Sequence, residues 1–150
     1  MNKLGLSLIA ALAIIAVLPA AGMDAHAADK EQPESLRAVM EKLGDDMQAV
    51  TGAISGEDWA LVAELAPRIG RHPEPPMAQK VRILKWLGTD AGAFRGFDGQ
   101  VEEAATGMGE AAARGDGEAV IESFANLQRA CLGCHQQFRQ SFLEHFGDQR

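Results

Sequence analysis

The chain has 150 residues, room for one domain, and its 21 acidic against 14 basic residues give a net charge of −7. An acidic total excludes nucleic acid as a partner, because phosphate binding needs a basic footprint. Six Phe, two Trp and no Tyr are a modest aromatic stock for a whole interior.

The first element is a targeting segment. Lys3 and the amino terminus supply positive charge, Leu4 to Leu18 is almost unbroken apolar sequence, and Pro19 is followed by small residues and Ala25-His26-Ala27. This order predicts a secretory signal peptide over residues 1–27, cleaved after Ala27. The apolar run is short for a membrane span, which takes about 20 residues; an uncleaved anchor is the other reading. Cleavage leaves residues 28–150 as a single exported domain, periplasmic and with no membrane attachment, and leaves the charge at −7, since one Lys and one Asp depart together.

The remainder reads as helical throughout, with no alternating strand pattern. Apolar positions Leu36, Met40, Leu43, Met47, Val50 and Ile54 predict a helix from about Pro33 to Ile54, closed by Gly56. A second helix is expected from Asp58 to Ile69, kinked or shortened by Pro67. The stretch His72-Pro73-Glu74-Pro75-Pro76 forbids regular helix, and Met77 to Leu87 suits a short amphipathic one. A further helix is predicted from Asp90 to Arg114, ended by Gly115. It holds Gly92, Gly96, Gly99, Gly107 and Gly109, which either let a cofactor approach or lie on the solvent face. The last runs from an Asp116 cap to Phe146 with the stripe Val120, Phe124, Leu127, Cys131, Cys134, Phe138 and Phe142. Four long amphipathic helices with mostly short connections predict an all-α, antiparallel four-helix bundle.

Within the last helix, Cys131-Leu132-Gly133-Cys134-His135 is a CxxCH motif, the haem-attachment signature. Two cysteines three apart share one helix face and match the two vinyl groups of haem. His135, four beyond Cys131, projects from that face toward the iron. The motif therefore predicts one covalent haem c, with Cys131 and Cys134 as thioethers and His135 as an axial ligand. A dithiol redox pair would need a βαβ setting, which the pattern lacks, and a structural zinc site would need four ligands.

A CxxCH that begins twenty residues from the carboxyl terminus of an all-helical chain, followed by Gln136-Gln137-Phe138-Arg139, resembles the class II cytochromes c. The resemblance covers residues 28–150. It implies a four-helix bundle with covalently bound haem, with homodimers as in many relatives, and the sequence itself shows no acid/base pair or substrate pocket that would mark an enzyme. The family divides on the sixth iron ligand. Leu36 to Met47, with Met40 a few residues before Gly44 and a second Met two turns on, looks like the first helix of the low-spin members, which implies Met40 as second axial ligand. A thioether ligand raises the potential and implies single-electron transfer between redox partner proteins. The alternative is a gas-binding protein of the cytochrome c′ type with an open distal site and Met40 as ordinary core. Met47, His72 and Met77 are further ligand candidates. Phe94 and Phe97 are candidates for packing on the haem or in the core, Phe138 for the haem edge, and Arg139 for the imidazole or the solvent. His145 suits a helix-end cation. Arg68, Arg71, Lys80, Arg82 and Lys85 against Glu74 alone form a basic stretch that either orients a partner or is a solvated face.

Overall fold

The computed structural model describes residues 35–147. The chain divides into two units, Met1–Lys30 and Glu31–Arg150, and the description concerns the second. The signal peptide expected over residues 1–27 and the helix start expected at Pro33 lie outside the described residues.

The described residues are all-helical: α1 (Leu36–Ser55), α2 (Trp59–Gly70), α3 (Met77–Leu87), a 3₁₀ turn (Gly88–Asp90), α4 (Ala91–Ala113), α5 (Gly117–Cys134), a π-helical turn (His135–Arg139) and α6 (Gln140–Phe146). Local chemistry sets the starts. Ser35, Asp58 and Asp116 each accept a backbone N–H two residues into the following helix, from Ala38, Leu61 and Ala119. Gly115, at φ 68°, takes the left-handed conformation that ends α4 and turns the chain into α5. Among the described residues, no helix is long and apolar enough to cross a membrane.

The helices pack as a bundle in which α4 lies against both α2 and α5, and α1 lies against α2. One core joins Val50, Val62, Leu65, Ala66, Ile69, Ala105, Met108, Ala111, Val120 and Leu127, all buried. It closes without a buried aromatic side chain because small residues let α2 and α4 come close. A Cβ on Gly70 would stand 3.0 Å from that of Ala105, and one on Gly109 would stand 3.2 Å from that of Ala66. The modest aromatic stock is therefore no deficit here; most of it is gathered elsewhere.

Three local expectations are corrected. The helix α2 continues through Pro67 to Gly70; the missing proline N–H falls in the last turn, where one lost bond is tolerated. The most buried positions of α1 are Val39, Asp46, Val50 and Ala53, centred roughly 70° from the expected stripe at about 100° per residue, while Leu43, Met47 and Ile54 of that stripe pack on the core partly buried. On the buried side Arg68 of α2 pairs with Asp46 at 2.6 Å. The final helix is interrupted at His135 by the π-helical turn before it resumes as α6.

Candidate cofactor-attachment site

Cys131 and Cys134 occupy the last turn of α5, half-buried and not bonded to each other. Cys131 packs on the main core. Cys134 belongs to a second cluster built on buried Ile83, Leu87 and Phe138, with Leu36, Trp86, Phe94, Phe97, Phe142 and Phe146 partly buried around it. This cluster is aromatic where the first is aliphatic. Phe138 meets Phe94 and Phe97 edge-on, with ring centroids 5.5 and 6.4 Å apart.

Burial, aided by the nearby Asp98 charge, pushes the Cys134 thiol up to about 11, and burial also raises Cys131. Both sulfurs are neutral at pH 7 and are poor thiolate nucleophiles, unlike a catalytic redox pair. His135 is exposed one residue on. Desolvation first, then the positive charge of Arg139, lowers its pKa, so its imidazole is neutral and a nitrogen lone pair is available. Arg139 is thus exposed and still acts on the ligand candidate.

Met40 lies at the rim of α1, 39 % exposed, one turn beyond Leu36. Leu36 packs in the Cys134 cluster, and residues four apart share a helix face. Met40 itself packs in neither this cluster nor the main core. Met47 packs on the main core instead. Met77 is 71 % exposed at the start of α3. Both ring nitrogens of His72 are engaged, Nε2 with Asp98 Oδ1 at 3.1 Å and Nδ1 near the Pro73 carbonyl at 3.2 Å. The hydrogen bond to Asp98, against the opposing effect of burial, raises the His72 pKa, and the same bond lowers that of Asp98.

Sequence reasoning gave no role to Trp86. It packs edge-on against Phe142 and Phe146 and stacks on His145, with centroids 5.6–5.9 Å away. Its packing fastens α6 to α3, and His145, in the last turn of α6 as expected, is one of its aromatic partners. The only local signal was that Trp86 and the Phe142/Phe146 pair are bulky residues on short amphipathic segments. In α4, Gly92, Gly96 and Gly99 have open space around them, while Gly107 and Gly109 meet Ser123 and Ala66. The basic stretch is partly neutralised, since Arg68 pairs with Asp46 and Lys80 with Glu74 at 2.6 Å.

Comparison with family models, curated proteins and solved structures returns no match.

Proposed function

We propose that this chain is an exported c-type cytochrome that carries single electrons between redox partner proteins, its haem held by Cys131, Cys134, His135 and Met40. The observation that carries the reading is the placement of the CxxCH residues. Two neutral thiols share the last turn of α5, one of them inside an aromatic cluster, and a neutral imidazole follows on the exposed side. The residues present fit haem in two further ways. Met40, the soft-sulfur candidate, is 39 % exposed and so accessible to a bound group. Helix α1, which carries Met40, and α5, which leads directly into His135, meet only over a short stretch.

Haem, when bound, supplies one Fe(II)/Fe(III) couple. The chain's own residues do the rest. Cys131 and Cys134 would hold the group through thioethers, each S–H adding across a vinyl double bond, which would need no oxidant. His135, in the π-helical turn after α5, would offer an imidazole nitrogen, and Met40 of α1 would offer a soft sulfur that favours reduced iron. Phe94, Phe97, Phe138, Ile83 and Leu87 exclude water, which keeps the charge change of one-electron transfer in a low-dielectric surround.

Purified protein run on a denaturing gel is expected to stain for haem peroxidase activity at the chain's own mass. Haem extracted into acidified butanone would refute covalent attachment. The exposed position of Met40 keeps a second reading in view, a gas-binding protein with an open distal site. The visible spectrum with and without carbon monoxide separates the two. Low-spin iron inert to the gas supports the carrier; high-spin iron that takes it up replaces the carrier with the gas binder.

A further inference from the structure

Inside the attachment motif, the two residues between the cysteines have opposite surroundings. Leu132 is 56 % exposed. Gly133 faces α4, where the ring of Phe97 occupies the space a side chain would need. A Cβ on Gly133 would lie 2.6 Å from Phe97 Cε1, 3.3 Å from Cζ and 3.4 Å from Cδ1. The first of these is far inside van der Waals contact, and the ring cannot easily retreat, because it also packs edge-on against Phe138. Next to it, Asp98 is tied to His72, which holds this part of α4 to the proline-rich loop.

At about 100° per residue, Gly133 lies roughly 160° around α5 from Cys131. The flank touched by Phe97 is thus nearly opposite the flank that presents Cys131, and the chain runs on from this turn into His135. We infer that Phe97 is a positioning residue, a backstop behind the attachment turn, and that Gly133 is required in the motif to admit its ring. The depth to which the ring enters sets the standoff between α4 and α5. That standoff sets how far Cys131 and His135 advance toward α1 and Met40. The inference rests on the haem reading and adds to it a reason why this motif position holds glycine.

Helix propensity predicts the reverse. Replacing a mid-helix glycine with alanine ordinarily stabilises, so the sign of the effect decides. The experiment compares holoprotein of wild type, Gly133→Ala, Phe97→Leu and the double variant, by thermal melt and by visible spectrum with and without carbon monoxide. Gly133→Ala is expected to keep covalent haem, to melt several degrees lower, and to gain a high-spin fraction that takes up carbon monoxide. Adding Phe97→Leu, which withdraws the ring edge, is expected to restore both. If Gly133→Ala does not fold, recovery of folded protein in the double variant supports the backstop equally. A Gly133→Ala protein with a raised melting point and an unchanged spectrum overturns the inference, as does a double variant no better than the single. If wild type itself carries no haem, the haem reading fails first. The contact is then judged on the melts of the same four proteins, and the positioning role falls with the haem.

Discussion

The two hydrophobic clusters of this bundle are built on different principles. The main core uses Val, Leu, Ile, Ala and one Met, most of them fully buried, and closes by letting α2 and α4 approach through Gly70 and Gly109. The second cluster buries only Ile83, Leu87 and Phe138 and surrounds them with half-exposed aromatic rings and Cys134. The first is complete as the protein stands. The second is less closed, its aromatic rings only partly buried. The two clusters occupy separate regions of one small bundle, and each tryptophan reports on one of them. Trp59 packs on the main core and Trp86 on the second cluster.

The largest effect that tests this division is removal of attachment. Changing Cys131 and Cys134 together to Ser is expected to abolish stable holoprotein. Trp86, followed in a Trp59→Phe background, should shift toward the emission of an exposed indole. Trp59, followed in a Trp86→Phe background, should keep its wild-type emission. Loss of both signals together would show one cooperative core and would break the comparison.

A fully buried aliphatic residue gives the opposite pattern. Leu127 is 0 % exposed at the centre of the main core, and Leu127→Ala should cost about 2–5 kcal/mol in denaturant melts. The haem spectrum of the folded variant should not change. A spectral shift there would mean that the two regions are mechanically one.

Met40→Ala should behave the other way round. The variant is expected to become high-spin, to bind carbon monoxide and to show a lower potential as the soft sulfur is lost. Because Met40 is partly exposed, the packing contribution to its stability loss should fall below the about 2–5 kcal/mol of a buried Met→Ala change. An unchanged spectrum and potential would leave Met40 as rim packing alone.

The smallest effect concerns the clasp beside the second cluster. The folded pKa of His72 is raised, so its stabilising contribution is present below the ordinary imidazole value of about 6.5 and is lost as pH rises through the folded value. The folded pKa of Asp98 is lowered, so its contribution is present above the ordinary carboxylate range and is lost as pH falls through the folded value. The pair therefore stabilises most in mildly acid solution. Its exposed carboxylate limits it to about 0.2–1 kcal/mol. Asp98→Asn should remove this dependence from stability measured between mildly acid and mildly alkaline pH; a wild-type slope retained in the variant would assign the dependence to another group.

Much of the fold was legible in the sequence because its signals are local. Asp116 caps α5 as expected, α2 begins directly after Asp58, Gly115 ends α4, the proline-rich stretch from Pro73 to Pro76 is irregular, and the α5 stripe from Val120 through Leu127 to Phe138 is the stripe that packs. The attachment motif was equally plain, since its chemistry depends on spacing within one helical turn. Periodicity left the buried face of α1 underdetermined. An apolar stripe is about 100° wide, and two neighbouring stripes shared Val50, so pattern alone preferred the one through Met40. Only the fold supplied Arg68 as a partner for the buried Asp46 and left Met40 partly exposed. The same holds for Phe97 against Gly133, Trp86 against α6, and His72 on Asp98. Each joins residues far apart in the chain, and no periodicity or capping rule carries information about a partner that only packing brings into reach.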